Sequence, residues 1–342
     1  MAAGKSGGDR TDLAGKRFPV QEPPELSVII VNWNTRDLLR DCLNSVYAET
    51  KATPFEVFVV DNASSDGSAE MVKREFPQVR LIKNEDNLGF AKANNQVIRK
   101  SSGNYVLLLN PDTVVLSSAL DKMVIFMREH PTVDASGPMI LNPAGRLQPS
   151  TRMSYMFRCI SIFIPGEWLT TYHLRMLVKK LIMKSSKEET YSPQPCQVGS
   201  LSGACIMMTR QAVDKVGLLD ERYFIYAEEV DWFYRLKQLG GKAYFVPNAR
   251  ITHHHGQSTK QTNDNYKYFL QSKYLFIKKH HGKMAAYFFR ITFAIDSLVT
   301  ICAFLLLQVL VKGERRKGVN GSVRSLWRAL LWGIGSNKGG VN

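Results

Sequence analysis

Tyr105-Val106-Leu107-Leu108-Leu109-Asn110-Pro111-Asp112-Thr113 is the stretch whose reading decides the fold. Its apolar run, bounded by a proline turn, predicts a strand buried on both faces whose end delivers one carboxylate, Asp112, to the rim of a sheet. Open α/β sheets bind ligands beyond the carboxyl ends of their strands. Asn, Pro and Asp also favour turns for purely local reasons. Asp112 is therefore either a functional group or a turn residue, and the surrounding chain has to choose.

Working outward, Leu26 to Val31 is a strand by its β-branched run, and Leu38, Leu39, Cys42, Leu43 and Val46 then recur at helical spacing. Phe55 to Val60 predicts a second strand ending in Asp61, followed by the turn-rich 62–68 and a short helix with Met71 and Val72. A third strand over 79–82, a helix over about 90–100 and another over 118–130 complete the alternation. Strands alternating with helices imply an α/β protein with a mostly parallel sheet covered on both faces. The first strand leads into Asn32-Trp33-Asn34-Thr35, without GxGxxG, and GxxxxGK[ST] is absent, which argues against an NAD enzyme or a P-loop NTPase. Asp61 is placed to accept a hydrogen bond from a ribose or a pyrimidine N–H, or else caps a helix.

In the second half, Val230, Phe233, Leu236 and Leu239 mark a helix ending at Gly240-Gly241, so Glu228, Glu229 and Asp231 crowd its first turn. The helix dipole accounts for one or two of these acids. Three exceed what capping requires, and one with an open face suits a general base. A strand over 243–246, a turn at Pro247-Asn248 and then Arg250 to Gly256 follow, with His253 either a metal ligand or a hydrogen-bonded histidine. Gly199 and Gly203 would let backbone approach a ligand closely. The irregular 149–195 stretch reads as an amphipathic excursion near an acceptor or membrane, or as an ordinary loop with a helix.

The chain of 342 residues is 44% hydrophobic, enough to fill a core, and its five scattered cysteines suggest neither a zinc knuckle nor a disulfide framework. Its net charge of +15 is concentrated near the end. Residues 266–290 carry Lys267, Lys273, Lys278, Lys279, Lys283 and Arg290 with no acid, and 312–342 carry seven basic residues against Glu314. Between them lies the apolar stretch 291–311, interrupted among charged residues only by Asp296. Such a pattern suits an anionic membrane surface rather than nucleic acid. By length 291–311 is able to span a bilayer, but Asp296 favours an in-plane or re-entrant anchor, with a single span or a buried helical hairpin as alternatives.

Taken in order, Ser27 to Asn34, Val59 to Ser68, Asn87-Leu88-Gly89-Phe90-Ala91, Leu109 to Asp112, Gly203-Ala204-Cys205, Gly217 to Asp220, Tyr226 to Asp231 and Pro247 to His253 resemble the family 2 inverting glycosyltransferases, and within them the bacterial rhamnosyltransferase branch. The resemblance covers about 26–282. It implies a GT-A fold with a mostly parallel central sheet, a nucleoside-diphosphate sugar donor (dTDP-rhamnose or a UDP-sugar) and a divalent cation, Mg2+ or Mn2+. Donor contacts would come from Asn32, Asn34, Asp61, Asn87, Gly89, Asn94, Asn110 and Asp112, and the cation would lie on Asp112 and His253. Glu229 falls at the catalytic-base position, with Asp231 as the fallback.

Two positions depart from the family pattern: Asn110 replaces the first acid of the DxD motif, and Glu229 replaces the usual Asp. The expected organisation is a loose leader over 1–24, a GT-A domain over 25–265, and a basic, apolar, helical, membrane-associating region over 266–342. The expected activity is inverting transfer of a sugar, rhamnose first, to a saccharide acceptor linked to lipid, in cell-surface polysaccharide biosynthesis at the cytoplasmic face of the inner or plasma membrane. One rival is a sugar-nucleotide nucleotidyltransferase, which normally carries a glycine- and basic-rich phosphate loop not found after the first strand. Another is a catalytically inactive GT-A-like protein that binds anionic lipid or nucleic acid.

Overall fold

The computed structural model describes residues 23–148, 151–152, 192–254 and 265–310. Most of the leader, nearly all of the irregular 149–195 stretch and the basic tail after 310 lie outside the described residues. In chain order the elements are β1 (Leu26–Asn32), α1 (Arg36–Glu49), β2 (Phe55–Asn62), α2 (Ser68–Glu75), β3 (Arg80–Asn84), α3 (Phe90–Ile98), β4 (Tyr105–Leu109) and β5 (Thr113–Leu116). Then come α4 (Ala119–Glu129), β6 (Ala135–Leu141), β7 (Thr151–Arg152), β8 (Cys196–Val198), β9 (Ser200–Leu201), β10 (Cys205–Thr209), α5 (Arg210–Val216), α6 (Glu228–Gln238), β11 (Ala243–His253) and α7 (Asn265–Leu310).

The apolar strand runs are buried because both faces of the sheet are covered. Val28, Ile30, Leu107 and Leu109 pack with Leu39, Leu43 and Val46 of α1 and with Leu120, Met123 and Val124 of α4. Ile29, Val31, Val106 and Leu108 point the other way, to Val97 and Ile98 of α3, Val213 of α5, and Trp232, Phe233 and Leu236 of α6. Alternating side chains of one strand thus serve two cores, and a polar substitution on either face would be buried.

Among the described residues the main sheet runs β3-β2-β1-β4-β10-β6-β11-β5, with β8 also on β11. Strands β1, β2, β3, β4, β6 and β11 share one direction, while β10, β5 and β8 oppose it. The parallel strands therefore end along one edge. There Asn32 stands beside Asp61, and Asn62 beside Asn84.

One expectation changes. The turn predicted at Pro247-Asn248 is a register shift inside one long strand, β11, between Val246 and Arg250. Proline has no N–H for the ladder, and a bulge absorbs it without ending the strand. The C-terminal helix, Asn265–Leu310, packs its first limb against the segment around α6: Tyr268 stacks on Phe224 at 4.8 Å, and Phe276 meets Tyr234 edge-on at 5.5 Å. At Gly282 (φ 91°) the helix breaks, and the second limb returns so that Ala286 and Phe289 pack with Ile277.

One cross-chain tie is fully buried. Asn95 of α3 donates to the Leu219 carbonyl (2.8 Å) and accepts from the Leu219 N–H (3.1 Å), joining α3 to the segment before α6. Asn95→Ala strands both backbone groups, and urea unfolding is expected to show a loss of about 2 to 4 kcal/mol.

Candidate active site

The carboxyl edge of the sheet carries the first group of polar side chains. Asn32 is fully buried and donates to Asp61 Oδ1 (3.1 Å) and Ser64 Oγ (3.1 Å) while accepting from Thr35 (2.6 Å). Asp61 accepts in addition from the Ser64 N–H at 3.1 Å. Asn34 lies in the left-handed region (φ 51°), where its Oδ1 accepts from the Ser65 N–H (2.7 Å). Asn32 and Asn34 thus shape the loop that presents Asp61.

The Asn87–Asn95 segment, expected near the donor, is held by contacts within the protein. Asn87 Oδ1 accepts from the Gly89 N–H (3.0 Å), forming a local turn. Gly89 (φ 79°) is required by a protein contact, since a Cβ there would lie 2.4 Å from the Phe224 carbonyl oxygen. The same carbonyl accepts from the Phe90 N–H at 2.7 Å. Asn94 is buried, and its Nδ2 donates to Phe90 O of its own helix (2.9 Å). Gly89 thus packs against the Phe224 backbone, while Asn94 bonds within its own helix and keeps Oδ1 unpartnered among the described residues.

Asn110-Pro111-Asp112 connects β4 to β5, the far edge strand. Antiparallel pairing of β5 with β11 sets His253 opposite Thr113, and the His254 N–H donates to Asp112 O at 2.9 Å. His253 Nε2 then lies 3.2 Å from Asp112 Oδ1 and 3.5 Å from Asn110 Nδ2. Beneath the motif, burial pushes the Cys42 thiol up to about 12, and the protonated thiol donates to Asn110 O.

Gln148, which no sequence pattern singled out, brackets His253. Its Nε2 donates to the His253 carbonyl (2.7 Å), which turns Oε1 toward Nδ1 (3.2 Å). With the amide oriented by that carbonyl, Oε1 faces Nδ1 as an acceptor and the ring is turned so that Nε2 lies on the Asp112 side. Among the described residues no three His, Cys, Asp or Glu side chains are grouped to hold a metal ion. One carboxylate and one imidazole still suit a cation that takes its remaining oxygens from a substrate diphosphate.

The acids of α6 separate into three environments. Glu228 is buried with Oε2 unpartnered among the described residues, and burial first, then Glu229, raise its carboxyl well above the usual range. Glu229 is half-buried and borders Gly203, where an added Cβ would sit 3.8 Å from its Cγ and Cδ. Asp231 is completely buried. Burial alone would raise its carboxyl, but hydrogen bonds from Lys279, His280 and Arg235 outweigh it and hold the group ionised. Among the described residues, the fallback base Asp231 is thus enclosed by structural partners.

The turn before β10 ties the two halves together. Gly203 borders Glu229, and the next carbonyl, Ala204 O, accepts from the Asn110 N–H at 3.0 Å. The α6 acid and the Asn-Pro-Asp motif thus flank one turn at the sheet edge.

A mixed sheet with helices on both faces, a polar carboxyl edge and a histidine-paired Asn-Pro-Asp agree with the GT-A fold that the resemblance implies. Residues 27–217 match the family model described as Glycosyl transferase family 2, and the chain belongs to that family. It is 29% identical over 276 residues to the N-acetylglucosaminyl-diphospho-decaprenol L-rhamnosyltransferase of Mycobacterium tuberculosis, a match spanning 75% of this chain and 85% of the relative. It is 24% identical to an O-antigen biosynthesis protein of Myxococcus xanthus, over 71% of this chain and 18% of that one. In fold it is similar to a mannosyltransferase from Pyrobaculum calidifontis in complex with GDP-Man and Mn2+ (TM-score 0.53, 14% identity, 93% and 89% of the two chains). It is also similar to GalNAc-T7 with UDP, GalNAc and Mn2+ (TM-score 0.50, 20% identity, 68% and 43%). The protein is a glycosyltransferase.

The Gln148 geometry makes a prediction that does not depend on turnover. Gln148→Leu, titrated with Mn2+ in the presence of a nucleoside diphosphate, is expected to bind the ion about 10-fold or more weakly than wild type.

Proposed function

We propose that the protein is an inverting glycosyltransferase that moves rhamnose from dTDP-rhamnose to a hydroxyl of a lipid-linked saccharide, in polysaccharide biosynthesis at the cytoplasmic face of the membrane. The observation that carries the reading is the shared turn at Gly203-Ala204, with Glu229 on one side and the Asn110–Asp112 motif on the other. The donor and acceptor classes are supported by the mycobacterial relative, whose name states rhamnosyl transfer and a diphospho-decaprenol saccharide. UDP-sugars are the alternative donors.

In this reading Asp61 receives the nucleoside, and Asp112 and His253 face the diphosphate. These two residues would hold the divalent cation, which when bound offsets negative charge on the departing diphosphate. Glu229 accepts the proton of the acceptor hydroxyl as that oxygen bonds to the anomeric carbon. The bond from that carbon to the diphosphate oxygen breaks on the opposite face, so configuration inverts and no covalent enzyme intermediate forms. The burial that keeps Glu228 toward its neutral form spares Glu229 a second adjacent negative charge.

A membrane role draws on the second limb of α7. Met284, Tyr287, Phe288, Ile291, Ile295, Leu298 and Val299 are exposed, and their spacing makes one helical stripe. Lys278 and Lys283 are exposed beside its start. Among the described residues no helix is long and apolar enough to cross a membrane. The side chains of Asp296, Thr300 and 303–310 lie outside the described set. An amphipathic limb lying in an anionic interface accounts for both stripe and charge.

Glu229→Gln should lower kcat about 10²- to 10⁴-fold while nucleotide-sugar binding, read by thermal shift across a dTDP- and UDP-sugar panel, persists. Unchanged turnover would remove Glu229 from the mechanism. For the membrane, wild type should sediment with phosphatidylglycerol vesicles and less with phosphatidylcholine vesicles. The double variant Ile295→Asp, Leu298→Asp should stay in the supernatant, whereas equal sedimentation of both proteins would refute docking through the stripe.

A further inference from the structure

The loop from Asp220 to Ala227 delivers Glu228 and Glu229 to the sheet edge in a backbone shape that does not hold itself. Tyr226 (φ 70°) and Ala227 (φ 68°) are consecutive left-handed residues immediately before α6, and neither is glycine. Such conformations are costly for residues with a Cβ and persist only where the surroundings over-determine them.

The surroundings here are one face of the first limb of α7. Tyr268 stacks on Phe224, Phe269 meets Tyr226 edge-on at 6.1 Å, and Ser272 Oγ donates to Ile225 O at 2.9 Å. Two turns further on, Lys279 Nζ donates both to Asp220 Oδ2 (2.8 Å) and to Asp231 Oδ2 (2.9 Å). Asp220 opens the loop and Asp231 lies in the first turn of α6, so a single ammonium staples its two ends. His280 Nε2 donates to Asp231 Oδ1 at 2.7 Å. Arg235 completes the cage at 2.9 Å and also donates to the carbonyls of Val216 and Leu218. On its other side the loop receives the Phe90 N–H through Phe224 O, so it also bears on α3.

We propose that Lys279 and His280 are positioning residues for sugar transfer: acting through Asp231 and Asp220, they hold the 220–229 segment in the shape that aims Glu229 at the acceptor. The inference rests on the reading of Glu229 as the base. It makes the first limb of α7 a working part of the active site, although neither residue touches donor or acceptor. A buried carboxylate stripped of a partner is strongly unfavourable, so the loop and the first turn of α6 would shift to let Asp231 reach water. Displacement by about 1 Å is enough to reduce the rate about 100-fold.

The test compares full-length wild type with Lys279→Met, His280→Leu and His280→Gln, the last keeping an N–H donor for Asp231. Transfer kinetics are read below the melting temperature of every variant, together with amide hydrogen exchange over 223–231. Lys279→Met and His280→Leu are expected to lower kcat about 10- to 100-fold with the donor KM unchanged. Both should speed exchange in 223–231 while leaving β1 to β4 protected. His280→Gln should recover most of the lost kcat. Variants that melt earlier but turn over at the wild-type kcat would overturn the proposal, leaving the cage a stability element alone. Unaltered exchange across 223–231 in both disruptive variants would also overturn it whatever the transfer activity, so its failure is separable from failure of the transferase reading.

Discussion

A carboxylate with no solvent exposure has to be surrounded by donors, and Asp231 places that constraint at the centre of the molecule. Its partners come from its own helix, through Arg235, and from a helix that starts 34 residues later, through Lys279 and His280. Satisfying one charge therefore fixes the approach of α7, the start of α6 and the loop between Asp220 and Ala227. Glu229, two residues before Asp231, inherits its placement from this arrangement.

The site's other half depends on strand direction. Because β1, β2, β3 and β4 run parallel, their polar ends gather along one edge, and Asn32 is set against Asp61 by register alone. Strand β5 reverses at the far side and pairs with β11, which carries His253 to the Asn-Pro-Asp turn. Gln148 then orients the imidazole by holding both its carbonyl and its Nδ1. The turn at Gly203-Ala204 closes the gap between the halves, with a glycine where Glu229 packs.

The α/β class was legible because apolar strand runs alternating with helical spacing admit few other arrangements. The placement of Asp61, Asp112, Glu229 and His253 at strand ends and a helix start was legible because such ends are recognisable from local pattern. Asn95, Gln148, Lys279 and His280 were not, because their partners lie far away in sequence and single polar residues have no periodicity. Gly89 shows the converse. Its motif stood out, but its contact with Phe224 is one that local pattern does not reveal.

The amino-acid sequence by itself determined the layered sheet, the order of its strands along the chain and the set of acids available at its edge, since these follow from short-range hydrophobic period and turn chemistry. The tertiary structure decided which acid is enclosed and which borders the Gly203 turn. Glu228, Glu229 and Asp231 sit within one helical turn and carry the same functional group. Their difference comes from burial, from the Lys279 and His280 donors, and from the Gly203 turn, all of them contacts made by distant parts of the chain.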